Sequence, residues 1–153
     1  MNYFVPGHED FYIETIILDL NGTLSIAGKL VDGVHERLNG LKARGFNIVF
    51  FTGNTRNDAD ALANELGIEW KLAKTAEEKR NLAQDMNPET CVSIGNGLID
   101  IELMKIVKLS IVTMQAEGVH VQTLLNSDII VPTILDALDL FLDEQRLIAT
   151  LRR

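Results

Sequence analysis

The sequence predicts a three-layer α/β fold, in which a parallel β-sheet carries helices on both faces and a short hairpin lies beside it. Two observations predict this class. Short apolar runs alternate along the chain with segments of helical periodicity. Each helical segment is long enough to be a crossover, and strands joined by such crossovers run parallel. No repeat or linker divides the chain, so we expect residues 1–153 to form a single domain.

Each element follows from a local pattern. Ala27-Gly28 between two short apolar arms predicts a small hairpin over residues 24–31. Asp32 is expected to cap a helix that ends before Gly45, and Thr75 with Glu78 matches a capping box. Pro132 is expected to open the last helical segment. The predicted strands are 11–20, 46–51, 68–73, 91–94, 109–114 and 128–131, and the predicted helices are 33–44, 59–66, 76–86, 98–107, 115–125 and the segment after 132.

Charge and composition exclude several classes of function. The 22 acidic and 14 basic residues give a net charge of −8, the opposite of the basic surface that binds nucleic acid. The same charge disfavours an anionic membrane surface, and no window approaches the roughly 20 apolar residues of a membrane span. The N-terminus does not match a signal peptide, and the single cysteine, Cys91, excludes an internal disulfide. We therefore expect a cytoplasmic protein that binds neither nucleic acid nor membrane.

Three polar turns follow predicted strands, at 19–23, 52–55 and 95–100. The carboxyl ends of parallel strands meet at one edge of a sheet, and ligands bind in the crevice there. Lys79, on the helix between the third and fourth predicted strands, could reach over the same crevice. We therefore expect these turns and this lysine to form one site.

Asp19 is the most informative residue of the first turn. A carboxylate at the end of a buried strand is costly unless a cation or backbone N–H groups compensate for it. The same groups would align it as a nucleophile. Gly22 would let the backbone approach a ligand closely. This segment alone leaves open the alternative that Asp19 is a simple polar turn residue.

The other two turns add complementary groups. Thr52 and Gly53 offer a hydroxyl and a free N–H to an anion. Asn96 and Asp100 bring a carboxamide and a carboxylate within one turn, and both can supply the oxygen ligands that Mg²⁺ prefers.

Taken together, these motifs resemble those of the haloacid dehalogenase (HAD) superfamily of phosphoryl-transfer enzymes. The matching segments are DLNGTL at 19–24, FTG at 51–53, Lys79, and GNGLID at 95–100. The order and spacing fit over essentially the whole chain. LDLNGTL, GNG and the ending RLIATLR are most similar to a subgroup that resembles the phosphorylation domain of P-type ATPases. The resemblance implies a Rossmann-like fold with a short flap hairpin and no cap domain.

The resemblance also implies roles for the catalytic and phosphate-binding residues. Asp19 would be the nucleophile that forms an aspartyl-phosphate. Thr52 and Gly53 would hold the phosphoryl oxygens, and Lys79 would neutralise charge on the nucleophile and the phosphate. Lys74, at the end of the third predicted strand, is the alternative for the motif lysine. The implied substrate is a phosphorylated small molecule or a phosphoprotein.

The implied cofactor is Mg²⁺. Asp19, the backbone carbonyl of Asn21, Asn96 and Asp100 would surround the metal, partly through water. Capless members of the superfamily often cover the site with a neighbouring subunit, so a homo-oligomer is a possible assembly.

The sequence departs from the phosphatase pattern at three positions. Asn21 stands where phosphatases carry the acid/base aspartate, and a carboxamide cannot transfer a proton to a leaving group or from water. Asn96 removes a negative charge from the metal site, and Ile99 replaces an asparagine that many members carry. We therefore expect weak phosphohydrolase activity. The alternative is a degraded member that keeps the fold as a binding or regulatory domain.

Other patterns are less informative. A phosphate-signal receiver would also phosphorylate an aspartate on a parallel sheet, but it needs an acidic pair near the end of the first strand. His8, His35 and His120 have no helical spacing that would make them a ligand pair, and they are expected to be solvated or packed in the core.

Overall fold

The computed structural model describes all 153 residues and contains ten strands and seven helices. The strands are β1 (Asn2–Tyr3), β2 (Phe11–Tyr12), β3 (Thr15–Asp19), β4 (Ser25–Ile26), β5 (Lys29–Leu30), β6 (Asn47–Thr52), β7 (Glu69–Leu72), β8 (Cys91–Gly95), β9 (Leu109–Thr113) and β10 (Ile129–Val131). The helices are α1 (Val34–Ala43), α2 (Ala59–Leu66), α3 (Ala76–Gln84), α4 (Ile101–Met104), α5 (Val121–Leu125), α6 (Ile134–Leu142) and α7 (Glu144–Leu151). None of these helices has the length and apolar content that crossing a membrane requires.

Six parallel strands form the central sheet, in the order β10-β9-β8-β3-β6-β7. The chain starts in the middle with β3, adds β6 and β7 on one side, and then returns to add β8, β9 and β10 on the other. This reversal of direction beside β3 opens a crevice at the carboxyl edge of the sheet. The predicted fold class is confirmed.

The core lies on both faces of this sheet. The larger cluster packs α1, α2, α6 and α7 against one face, and its fully buried members include Leu38, Leu66 and Phe141. The smaller cluster packs α3 and α4 against the other face, through Ala83 and Leu103. Residues of β3 alternate between the two clusters, with Ile16 and Leu18 in one and Ile17 in the other, as the two-residue period of a strand requires.

The first predicted strand is divided in the structure. Residues 11–12 form an antiparallel pair with β1, and the central strand starts only at Thr15. Between them, Ile13 donates its N–H to the Met1 carbonyl and Glu14 donates to the Thr90 carbonyl. The apolar run is continuous, but its hydrogen-bond partners change at this point.

Two predicted helices are shorter than expected. Only residues 121–125 of the segment 115–125 are helical, because Gly118 has a φ of +78° and the Gln115 side chain bonds to neighbouring loops. The segment 98–107 forms a 3-10 turn followed by the four-residue α4. The last helical segment is broken at Asp143 into α6 and α7.

The helix caps also differ in part from the sequence patterns. Asp32 does not cap α1, because Gly33 occupies the N-cap position with a φ of +92°. The Thr75 hydroxyl accepts the Glu78 N–H at 3.1 Å, as expected. The Glu78 carboxylate, however, accepts the N–H of Lys74 instead of the cap residue's own N–H.

Phe141 provides a test of the larger core cluster. Its ring is fully buried and packs edge-on against both Tyr3 and Phe46. We expect Phe141→Ala to lower the free energy of unfolding by about 3–5 kcal/mol, because it removes a buried ring and leaves a cavity. In contrast, Phe4→Ala should change it by no more than about 0.5 kcal/mol, because Phe4 is 68% exposed. Urea titration of the two variants makes the comparison, and equal losses would contradict this packing.

Candidate active site

The three polar turns converge on one cleft at the carboxyl edge of the sheet. The cleft has a volume of about 480 Å³. Six of the seven residues that the sequence indicated line it; the seventh, Asp100, is 2% exposed and lies just beneath them. The lining residues are Asp19, Asn21, Thr52, Gly53, Thr55, Lys74, Lys79, Asn96, Gly97 and Ile99.

A buried ammonium group joins two carboxylates at the base of this cleft. Lys79 is fully buried, and its Nζ donates to Asp19 Oδ1 at 2.6 Å and to Asp100 Oδ1 at 2.7 Å. Asp19 lies on β3 and Asp100 lies in the turn after β8. They are 60 and 21 positions away in sequence from Lys79, which lies on α3. Lys74 also lines the cleft but is exposed, so Lys79 is the lysine that contacts the carboxylates.

The electrostatics of this cluster are unbalanced. Burial opposes the charged form of Lys79, but the two adjacent carboxylates outweigh that effect and raise its pKa, so it is protonated. Burial and repulsion from Asp100 together raise the pKa of Asp19 to about 7, although Lys79 acts in the opposite direction. The cluster therefore holds one more carboxylate than its own cation can neutralise.

Asp100 is held in place by backbone groups. Its Oδ2 accepts the N–H groups of Asn96 and Gly97, each at 3.0 Å. This fold-back requires Gly95, because a Cβ at that position would lie 2.4 Å from Asp100 Oδ2. Gly95, the first residue of the GNGLID motif, is therefore required by the position of the Asp100 carboxylate.

The loop after Asp19 is tightly bonded except at Asn21. The Leu20 carbonyl accepts the N–H groups of Thr23 and Ser25, and Gly22 donates its N–H to the Ser25 carbonyl at 2.7 Å. Neither the N–H nor the carbonyl of Asn21 has a hydrogen-bond partner. The side-chain Oδ1 of Asn21 has no partner either, and this oxygen is buried. An unpaired buried polar atom is rare in folded proteins, and this one lies two residues after Asp19.

Thr52 and Gly53 face the cleft from the end of β6. The Thr52 hydroxyl oxygen accepts the Asn54 N–H at 3.1 Å, which leaves its own proton free to donate. The Gly53 N–H has no partner in the structure. Together they offer two donors to an anion, as the sequence indicated.

Both polar atoms of the Asn96 side chain are hydrogen-bonded to neighbouring groups. Its Oδ1 accepts from the Thr23 hydroxyl at 3.2 Å, and its Nδ2 donates to the Gly118 carbonyl at 3.0 Å. Gly22 packs directly against this carboxamide, since a Cβ there would lie 2.3 Å from Nδ2. The side chain thus ties the first and fourth motifs together.

One residue that contacts the first motif was not indicated by the sequence. Gln115, after β9, donates from Nε2 to the carbonyls of Gly22 and Thr23, at 3.0 and 2.9 Å. The apolar pattern around Gln115 predicts a helix, and nothing in the sequence distinguishes this glutamine from a solvated one.

The flap hairpin follows the loop after Asp19, and Ser25 holds it there by backbone hydrogen bonds to Leu20 and Gly22. Ala27 and Gly28 both have positive φ, the geometry of a tight two-residue hairpin turn between β4 and β5. Gly28 lies against the Arg56 side chain, which reaches it from the turn after β6. No cap domain is inserted above the cleft, as the sequence predicted.

The groups at this cleft suit a hard cation such as Mg²⁺. Asp19 supplies a carboxylate, and Asn21 supplies a carbonyl and a side-chain oxygen that have no other partner. Oxygen donors of this kind, together with the excess negative charge, are what Mg²⁺ prefers. The set is sparse, since no three acidic, histidine or cysteine side chains gather at any point of the structure.

Comparison with known proteins identifies the family. The sequence profile of the haloacid dehalogenase-like hydrolases matches residues 4–107, more than half of the chain. The chain belongs to the haloacid dehalogenase-like hydrolase family. It is also 49% identical over 61 residues to an uncharacterized protein of Methanocaldococcus jannaschii. That match covers 40% of this chain and 66% of the other protein, slightly less than two thirds of its length.

Solved structures of HAD phosphatases share the fold. The 3-deoxy-D-manno-octulosonate 8-phosphate phosphatase of Moraxella catarrhalis, in complex with magnesium, phosphate and a KDO molecule, superposes with a TM-score of 0.69 at 22% identity, over 92% of this chain and 94% of that one. The cobalt-bound form of the corresponding Haemophilus influenzae phosphatase gives a TM-score of 0.70 at 15% identity, over 92% and 94% of the two chains. At this identity the likeness concerns the fold.

The Lys79 cluster leads to a stability prediction. Lys79→Met should lower the free energy of unfolding by about 3–5 kcal/mol in EDTA, because it leaves two buried carboxylates without their cation. Lys74→Met is the matched control; because that side chain is exposed, it should change the value by no more than about 0.5 kcal/mol.

Urea titration of both variants measures the difference. The double variant Lys79→Met with Asp100→Asn should recover part of the loss, because one of the two unpaired charges is then removed. A larger effect from Lys74→Met than from Lys79→Met would reverse the assignment of the two lysines.

Proposed function

We propose that the protein is a Mg²⁺-dependent phosphohydrolase that acts through an aspartyl-phosphate on Asp19 and turns over slowly. The observation that carries the proposal is the convergence of a buried carboxylate, a buried lysine and the free donors of Thr52 and Gly53 on one cleft. These groups would position a phosphoryl group and stabilise its charge, the two effects that dominate phosphoryl transfer.

In this proposal each residue has a defined task. An Asp19 carboxylate oxygen attacks phosphorus, the bond from phosphorus to the leaving oxygen breaks, and water later hydrolyses the acyl phosphate. The Thr52 hydroxyl and the Gly53 N–H hold the phosphoryl oxygens, and Lys79 offsets their charge. The leaving oxygen takes its proton from water, because Asn21 has none to give at neutral pH.

The metal would lie beside Asp19 and the Asn21 carbonyl, with Asn96 and Asp100 completing its surroundings, partly through water. When bound, Mg²⁺ would neutralise phosphoryl charge. The bonds of Asp100 to Lys79 and to two N–H groups favour an indirect role for it. The bonds of Asn96 to Thr23 and Gly118 favour the same for Asn96.

The domain organisation, subgroup and substrate class that we propose rest on the sequence motifs. We infer that residues 1–153 act as one cytoplasmic domain whose first and last segments resemble the phosphorylation-domain-like subgroup. The substrate would be a phosphorylated small molecule or a phosphoprotein, because the cleft is open and no inserted domain restricts its entrance. A second copy of the chain is a candidate for covering it.

A catalytically degraded binding or regulatory domain is the second candidate. It is favoured by the two carboxamides, Asn21 and Asn96, at positions where phosphatases carry carboxylates, and by the commitment of the Asn96 side chain to structural bonds. Such a domain would bind Mg²⁺ and phosphate without forming a phosphoenzyme, so trapping that intermediate separates the two functions.

Metal binding is tested by calorimetry. Asp100→Asn should weaken Mg²⁺ binding at least about tenfold, because removing a group that supports the metal site typically has this effect. The same change on an exposed glutamate of α1, Glu36→Gln, removes an equal charge far from the cleft and should leave the isotherm unchanged. Identical isotherms for the wild type and Asp100→Asn would remove Asp100 from the site.

Turnover is tested with p-nitrophenyl phosphate and with an alkyl phosphate, in Mg²⁺ and in EDTA. We expect slow hydrolysis of the first and almost none of the second. General acid–base catalysis is worth roughly 10²–10⁴-fold, or about 3–5 kcal/mol of barrier, and a good leaving group needs it least. Asn21→Asp should accelerate hydrolysis at least ~10-fold. Asp19→Asn should abolish it together with the acid-stable phosphoenzyme.

A matched control separates proton transfer from charge. Asn54→Asp adds the same charge at the rim of the cleft and keeps the bond that its Oδ1 accepts from the Ala59 N–H, so it should not accelerate hydrolysis. If the wild type and Asn21→Asp are both inactive and no phosphoenzyme is trapped, the protein is the binding domain.

A further inference from the structure

The Gln115 side chain connects three segments at the rim of the cleft. Its Nε2 donates to the carbonyls of Gly22 and Thr23, and its Oε1 accepts the N–H of Ile134 at 3.1 Å. Two carbonyls require a donor and the N–H requires an acceptor, so only one orientation of the amide satisfies all three. Both protons of Nε2 are used. We call this side chain, together with its three hydrogen bonds, the bracket.

The bracket holds Gly22 from one side while the flap holds it from the other. The Gly22 N–H donates to Ser25 and its carbonyl accepts from Gln115. Its φ of +83° is left-handed, so both of its peptide planes take fixed orientations that few other residues could adopt.

The orientation of Gly22 sets the direction of the Asn21 carbonyl. Asn21 and Gly22 share one trans peptide, in which the C=O and the N–H point in opposite directions. Because the Gly22 N–H points at Ser25, the Asn21 carbonyl points the opposite way, and it has no partner within the protein. A change in the dihedral angles of Gly22 would rotate this peptide and move the carbonyl.

We propose that Gln115 is a positioning residue that keeps the Asn21 carbonyl directed at the metal site, an inference that rests on the proposed function. Gln115 follows β9, the strand that is second from β3 in the sheet, and belongs to none of the four motifs. It acts through the backbone of Gly22 and Thr23 and does not touch the reacting groups. Residues that support metal ligands in this way typically change metal affinity by 10–100-fold.

Two variants separate positioning from charge. Gln115→Met keeps the size of the side chain and removes all three hydrogen bonds. Gln115→Glu keeps an acceptor for Ile134 but loses both donors to the carbonyls, and it adds a negative charge near the metal. Simple electrostatics predicts tighter Mg²⁺ binding by Gln115→Glu, whereas positioning predicts weaker binding by both variants.

The first measurement is Mg²⁺ titration by calorimetry at pH 8. We expect an affinity at least ~10-fold weaker for Gln115→Met and for Gln115→Glu. Phe141→Leu is the control for general destabilisation, since it lowers the Tm by trimming a buried ring that packs against Tyr3 and Phe46 and lines no part of the cleft, and it should bind Mg²⁺ like the wild type.

The second measurement needs no metal. Amide hydrogen exchange of Gly22 and Thr23, followed by NMR in EDTA, should be at least ~10-fold faster in Gln115→Met than in Phe141→Leu, because only the first variant releases this loop locally.

The outcomes separate this inference from the proposed function. If the wild type binds Mg²⁺ and both Gln115 variants bind it equally well or more tightly, Gln115 has no positioning role and the proposed function stands. If the wild type gives no Mg²⁺ isotherm, the proposed metal site and this inference are both overturned. Equal exchange in the Gln115→Met and Phe141→Leu variants would also overturn the bracket.

Discussion

The ion cluster of Lys79, Asp19 and Asp100 is the constraint on which the site depends. It joins the end of the central strand, a helix and the turn after β8 through contacts of 2.6 and 2.7 Å inside the protein. Burying three charges costs free energy that an apolar trio of similar volume would not cost. The cluster is therefore poorly explained by stability alone, and its position at the base of the cleft matches a chemical task.

The backbone around the cluster has the shape that the positions of these charged side chains require. Gly95 allows Asp100 to fold back against the Asn96 and Gly97 N–H groups, and Gly22 makes room for the Asn96 carboxamide. Thr23 bonds to that carboxamide and so links the two loops. The glycines and small polar residues of the motifs fill structural roles around a few charged side chains.

Much of this arrangement could be predicted from the sequence because it follows short-range patterns. A buried strand that ends in Asp19, and helices that bury every third or fourth residue, are visible as periodicity. Parallel strands then bring their carboxyl ends together without any further information. The position of Lys79 on a capped helix follows from Thr75 and the residues after it, although only the structure distinguishes Lys79 from Lys74.

The remainder depends on partners that are distant in sequence. The break between β2 and β3 arises because Ile13 bonds to Met1 and Glu14 bonds to Thr90, whereas the apolar pattern is uninterrupted. The segment after β9 has a helical pattern, but Gln115 satisfies two carbonyls more than 90 positions away, and that bonding replaces the first helical turns. Local propensity is weak compared with such tertiary bonds.

The central strand β3 and the hairpin of β4 and β5 differ in how firmly the rest of the protein holds them. Its backbone is hydrogen-bonded to β6 on one side and to β8 on the other, in the interior of the protein, so its amides open only when the whole domain unfolds. The hairpin of β4 and β5 has two residues in each strand and lies outside the main sheet, although Ser25 also bonds to Leu20 and Gly22. The carboxylate of Asp19 is thus held at the end of the central strand, whereas the hairpin is a two-stranded element outside the main sheet. A ligand that requires more room would be accommodated more easily by displacement of the hairpin than by movement of Asp19.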